Sequence, residues 1–348
     1  MNLSKTWLII IALCFTISLS YCSKSADTIN NPASSAEKQP VLPATALNYN
    51  ISYPAYLQLA MAQNDNTPFT NPITNDGATL GRVLFYDKHL SQNNTINCGS
   101  CHKAEASFND NVAFSKGFAG GLTSRSSMAL LNVRFYKSGK MFWDERSLTL
   151  EDQVLQPIQN HVEMGLPIQE MVSKLSAINY YPSLFQKAFG STAIDSQKIA
   201  RALAQFVRSI VPYQSKYDMV KQGLAAFTPA EQQGENLFLN AGAPGTCASC
   251  HKPPLFVNSD PRPGFGLLDP NDRGVNNSGN FKVGSLRNIA ANPPYFHNGS
   301  VASLEAMFTS NIPAHRVAPQ DVQNLLAFMQ TLTDNQIATE PRFSDPFK

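Results

Sequence analysis

The chain has 348 residues, a net charge of +2 and only 15% charged residues. A balance this close to neutral argues against nucleic acid as a partner. The length is enough for two domains, each with its own core.

The first residues read as an export signal. Lys5 precedes an apolar run from Trp7 to Leu19 that is too short for a membrane span and is followed by small and polar residues. Cys22 follows Leu19-Ser20-Tyr21, similar to a bacterial lipoprotein box apart from the bulky Tyr21. Lipidation of Cys22 and plain cleavage both stay open. Residues 1–22 are therefore expected as a signal peptide, and residues 23–47, rich in Ser, Ala, Asn and Pro, as a disordered leader.

A short helix is expected over 56–63. Residues 81–90 (GRVLFYDKHL) form a compact amphipathic stretch leading to Cys98-Gly-Ser-Cys101-His102. Residues 106–125 read as a loop. Helical spacing resumes over 147–159, with Leu148, Val154, Leu155 and Ile158 apolar and Pro157 bending the end. Short helices over 168–175 and 182–189 precede the clearest one, 195–210. Asp195 or Ser196 caps it, and Ile199, Leu203, Phe206, Val207 and Ile210 form its buried stripe.

Pro212 closes that helix, and residues 213–227 bridge to the second half. Thr228-Pro229-Ala230-Glu231 provides an N-cap, a proline at the first helical position and a glutamate three residues after the cap. The helix it opens runs toward Cys247-Ala-Ser-Cys250-His251. An irregular stretch over 253–294 follows, then helices over 303–308 and 320–332. No window alternates at period two for long enough to make a sheet. The expected class is all-α, with two cytochrome-c-like haem domains, 48–212 and 213–348, and long irregular loops.

The two copies of C-x-x-C-H are the most informative feature. This pattern reads as covalent haem attachment: two thiols add across the porphyrin vinyl groups, and the adjacent histidine reaches the iron. Two complete copies point to two haem c groups, on Cys98, Cys101 and His102 and on Cys247, Cys250 and His251. The alternative is one four-cysteine zinc site joining the halves, which leaves both histidines unexplained. The chain has six cysteines; the other two, Cys14 and Cys22, lie in the export segment. Covalent haem attachment outside the cytoplasm agrees with an exported, periplasmic protein.

Beyond these motifs the chain resembles the bacterial di-haem cytochrome c peroxidases and the related MauG, which matures methylamine dehydrogenase. The resemblance runs from about Gly81 to Lys348. It rests on GRVLFYDKHLS, FND (108–110), FWDER (142–146), Gln153, Pro157, VEMG (162–165), LRN (286–288), PYFHNG (294–299) and AFMQTLTD (327–334). It implies a peroxidatic haem on His102 and an electron-storing haem on His251. Trp143 would lie between the haems, Glu163 would be the distal acid and Gln153 its distal neighbour. The chemistry asks for such an acid independently, because a carboxylate in a partly desolvated pocket can take and return a proton near neutrality. Arg125, Arg146 and Arg287 are candidate propionate partners, and His297 a pocket neighbour. His89 and His161 read as polar surface or loop residues.

The departures are as informative. In the peroxidases a histidine in the loop after the first motif blocks the resting peroxidatic iron; Phe118 stands at that place here. The first haem is expected to keep an open face. The sixth ligand of the second haem falls to Met307, with His315 as the alternative. Calcium between the haems is a further implied cofactor, at a site weakened because Ser126 replaces the family's asparagine. The expected partners are hydrogen peroxide and a small periplasmic cytochrome c or cupredoxin. A lipid anchor at Cys22 and a homodimer are further options. The leading expectation is hydrogen peroxide reduction. MauG-like oxidation of a partner protein and plain electron transfer are the alternatives.

Overall fold

The computed structural model describes residues 38–240, 246–263, 271–312 and 315–348. The expected signal peptide, including Cys14 and Cys22, lies outside them, as does most of the expected leader. The end of that leader belongs to the folded body. Leu42 and Leu47 pack on the first core, and the Val41 N–H donates to the Pro346 carbonyl at 2.8 Å.

Helix α1 (Ala55–Asn64) precedes α2 (Asn75–Tyr86). The Thr74 hydroxyl caps α2 by accepting from the Gly77 N–H at 3.0 Å, so this helix starts well before the expected Gly81. The one-turn α3 (Cys98–Cys101) carries the first motif. The helix expected over 147–159 is two single turns, α4 (Leu150–Gln153) and α5 (Gln156–Gln159). Pro157 opens α5 rather than bending an end, because a ring with no N–H is tolerated in a first turn. Then follow α6 (Ile168–Ser176), α7 (Tyr181–Phe189) and α8 (Ser196–Ser209), where the expected stripe is buried.

The second half holds α9 (Lys216–Lys221), α10 (Pro229–Asn240) and the one-turn α11 (Cys247–Cys250) with the second motif. A two-stranded antiparallel ribbon pairs β1 (Asn258–Pro263) with β2 (Asn280–Val283). This corrects the expectation of no strands. Pro261 and Pro263 break any alternating pattern, and proline is tolerated in such an edge ribbon. Helices α12 (Leu304–Thr309) and α13 (Val322–Thr331) complete the set.

The two halves repeat one another. Helix α2 crosses α8 at Gly81, where a Cβ would lie 2.0 Å from the Ala202 carbonyl oxygen. Helix α10 crosses α13 at Gly234, with the same 2.0 Å to the Asn324 carbonyl oxygen. After each motif a phenylalanine in the left-handed region, Phe108 (φ 57°) or Phe256 (φ 55°), turns the chain. The Asn132 N–H donates to the Ile210 carbonyl at 3.2 Å, and the Asn288 N–H to the Leu332 carbonyl at 3.1 Å. Phe142 and Phe296 share φ values of 70° and 69°, within matching bridges Met141–Ser147 and Tyr295–Val301. Thr149 then caps α4 and Ser303 caps α12. This correspondence pairs Trp143 with His297 and Gln153 with Met307.

Each half has its own hydrophobic cluster. The first combines residues between 49 and 210 with Ile337 and Phe343; the second spans 217–332. The chain's tail therefore crosses back onto the first half, which the expected 213–348 domain did not foresee. The hydroxyls of Tyr49 and Tyr86 donate to the carbonyls of Arg342 (2.9 Å) and Phe343 (2.7 Å) and hold it there.

Candidate active site

The first motif is a single helical turn that Asn97 and Ser100 cap reciprocally. Positions i and i+3 of a turn share a face, so the Cys98 and Cys101 thiols project together. Burial pushes both thiols up, to about 12 and about 11. The His102 Nδ1 lies 3.3 Å from the Phe108 carbonyl. That carbonyl can accept a hydrogen bond from Nδ1–H, and burial favours the neutral ring, which leaves Nε2 as a lone-pair donor.

His102 forms part of the wall of a cavity of about 670 Å³, within the usual span for ligand sites. Gln153, Glu163, Trp143, Arg125 and Lys282 also line it. An adjoining pocket brings Cys98, Cys101 and His102 together with Gln153 and Glu163. Paired thiols and a neutral imidazole beside a large cavity fit a covalently held haem. In the second half Thr246 caps α11 by accepting from the Ser249 N–H at 3.2 Å. Burial, reinforced by the charge of His315, pushes His251 down to about 3, against the Gly284 carbonyl. The same ligand set is thus presented twice. Among the described residues no three His, Cys, Asp or Glu side chains are grouped to hold a metal ion, so the four cysteines do not converge as the zinc alternative requires.

Glu163 is positioned by its backbone. The Asn160 side chain accepts from the Val162 N–H at 2.8 Å, and the Glu163 carbonyl accepts from the Phe118 N–H at 2.8 Å. Burial raises its carboxyl above the ordinary value, with Arg146 opposing more weakly. The hairpin of residues 116–122 lies over this segment. A Cβ on Gly117 would fall 1.6 Å from the Val162 carbonyl oxygen, and one on Gly165 (φ 66°) would fall 2.4 Å from the Phe118 ring. Phe118 thus packs on Gly165 and is not among the cavity's lining residues.

The Trp143 Nε1–H donates to the Ser126 carbonyl at 2.8 Å. Ser126 bonds onward to the second half, through its N–H to the His297 carbonyl (2.8 Å) and its hydroxyl to the Phe296 carbonyl (2.7 Å). The Trp143 and His297 rings meet edge to face at 6.4 Å, and His297 stacks on Phe281 at 3.8 Å.

The arginines divide. Arg125 pairs with Asp144 (2.7 Å) and Asp272 (2.6 Å) at the cavity wall, and Arg146 pairs with Asp144 (2.9 Å). Arg287 is fully buried against Asp218 at 2.8 Å and the Pro254 carbonyl at 2.7 Å. It does not line the first cavity. His89 is paired with Asp87 at 2.6 Å. His161 is exposed at the first cavity and lines it.

Two wall residues escaped sequence reasoning. Asp272 sits in a stretch read only as irregular. Lys282 is 2% exposed, and its ammonium donates to the Lys140 carbonyl at 2.7 Å and lies 3.8 Å from the Tyr136 ring centre. Burial pushes it down to about 8, with Glu145 opposing. The lone signal was a lysine between Phe281 and Val283.

Comparison with known proteins agrees with this arrangement. A family profile described as "Di-haem cytochrome c peroxidase" matches residues 75–226. The cytochrome c551 peroxidase of Nitrosomonas europaea is 32% identical over 285 residues, covering 76% of this chain and 82% of the relative. The methylamine utilization protein MauG of Methylophilus methylotrophus is 29% identical over 287 residues, covering 76% and 84%. A crystal structure of a MauG-like protein associated with microbial copper homeostasis superposes with a TM-score of 0.76 at 30% identity, over 87% of this chain and all of that one. The chain belongs to the di-haem cytochrome c peroxidase family, which also takes in relatives named MauG.

Proposed function

We propose that the chain reduces hydrogen peroxide to water with electrons from a small periplasmic cytochrome c or cupredoxin, as an exported protein of two cytochrome-c-like haem domains. The observation that carries this is Glu163, a carboxyl raised by burial, on the cavity that His102 also lines. Cys98, Cys101 and His102 hold one haem, and Cys247, Cys250 and His251 the other. Bound haem supplies the iron that binds peroxide and the electrons that cleave its O–O bond. One peroxide takes up two protons and two electrons and leaves as two waters. Glu163 takes the proton from the near oxygen and delivers it to the leaving one. Gln153 orients the peroxide from the same wall, and Trp143 connects the two halves through Ser126.

The docked Phe118 leaves the first haem's open face unblocked, so no prior reduction is needed. Electron paramagnetic resonance of the oxidised, haem-loaded protein should show a high-spin ferric component, and turnover should begin without a lag. Two low-spin ferric haems with a lag would overturn that reading. Glu163→Gln should keep both haems and lower peroxide turnover by about 10²–10⁴-fold, the range for general acid–base catalysis. Near-unchanged turnover would return Glu163 to a structural role.

The same absence of a blocking side chain favours the second reading, MauG-like oxidation of a partner protein. Steady-state peroxide turnover with reduced cytochrome c or cupredoxin separates the two: a peroxidase sustains it, and the second reading expects none.

A further inference from the structure

The internal repeat gives the second motif a distal side of its own, with Met307 and the return after α12 as its candidate residues. In the first half the chain after α4 returns along the cavity and places Glu163 there, fourteen residues beyond the Thr149 cap. In the second half the segment after α12 is pinned where the Val317 N–H donates to the Phe308 carbonyl at 3.0 Å. His315 lies on that segment, twelve residues beyond the Ser303 cap. Its ring packs edge-on against Phe296 at 5.4 Å, the residue whose left-handed turn repeats that of Phe142. The His315 Nδ1 is buried, and Phe296 packs on the same hydrophobic cluster as Cys247 of the second motif.

The other histidines are placed elsewhere. His89 is on Asp87, His161 lines the first cavity, and His297 faces Trp143 and Phe281. Met307 points with Leu304 and Phe308 into the second hydrophobic cluster, a common packing role for methionine.

We propose that His315 is the second axial ligand of the haem carried by Cys247, Cys250 and His251, so that this haem sits between two imidazoles. This rests on the di-haem reading of the chain and not on the identity of its substrate. A thioether raises a haem's potential, so a haem with two imidazoles holds its electrons less firmly than one with Met307 as ligand.

The test uses the full, haem-loaded chain, with haem content measured in every variant. The oxidised protein should show one low-spin ferric haem with two nitrogen ligands and no near-infrared sulfur-to-iron band. His315→Ala should lose that low-spin signal while the first haem is unchanged, and added imidazole should restore it. Met307→Ala should leave the spectrum as it was. His315→Met should create the sulfur-to-iron band and raise the second potential, which covers the case where the alanine variant fails to load haem. A sulfur-to-iron band in the unaltered protein that Met307→Ala abolishes would overturn the proposal, as would a low-spin signal that survives His315→Ala. If these spectra come out as expected but peroxide is not turned over, the functional reading fails and the ligand assignment stands.

Discussion

Glu163 and Lys282 show how burial sets the chemistry of single residues. The folded Glu163 holds its proton to higher pH than its ordinary value of 4.5. Accepting the peroxide proton requires the carboxylate, so kcat/KM should fall as pH drops through that raised value. In Glu163→Gln this limb of the profile should vanish. Stability carries the matching sign. A raised folded-state value contributes stability that is present in acid and is lost as pH rises through it. The variant should therefore lose less stability than the parent between acid and neutral pH in urea melts. Lys282 has the opposite sense. Pushed from 10.5 to about 8, it sheds its proton in the folded state before the unfolded chain does. Its contribution to stability should therefore rise with pH across about 8 to 10.5, and Lys282→Met should flatten that rise.

Among elements, the two helix crossings decide the most. Gly81 and Gly234 each stand where the partner helix's carbonyl oxygen would lie 2.0 Å from a Cβ. A backbone carbonyl cannot swing aside as a side chain can, so the helices must separate. Gly81→Ala and Gly234→Ala should each destabilise by about 1–3 kcal/mol, the usual cost of overpacking, read from denaturant midpoints. Gly190 also has no Cβ but meets nothing within 4 Å, so Gly190→Ala should cost only the strain of its positive φ. The 116–122 hairpin matters to the site in another way. Its docking on Gly165 keeps Phe118 out of the cavity and steadies Glu163 through a backbone hydrogen bond.

At the scale of the whole molecule, the tail ties the chain's end to its beginning. Phe343 is 1% exposed in the first cluster and packs edge-on against Phe108 with ring centres 6.0 Å apart. Phe343→Ala should cost about 3–5 kcal/mol, as for other buried aromatics. The loss should appear in the melting of the first half, although the residue lies beyond the second motif. No tail contact was legible in sequence, because a few apolar residues among prolines carry no periodicity.

The local features were legible. Each C-x-x-C-H motif names its own chemistry, and the stripe of α8 and the Thr228 cap follow from hydrogen bonding and spacing within a few residues. Glu163, Gln153 and Trp143 came from the resemblance rather than from pattern, since single polar residues in loops have none. The repeat of the halves was present in FWDERSLTLE and FHNGSVASLE, but substitutions hid it until matching backbone turns aligned Gln153 with Met307. Tertiary structure alone decided which groups share a space: Glu163 and Lys282 on one cavity, His315 against Phe296, the tail on the first core. Those distances are set by how helices cross and loops return, and residues that lie far apart in the chain reveal them only once it has folded.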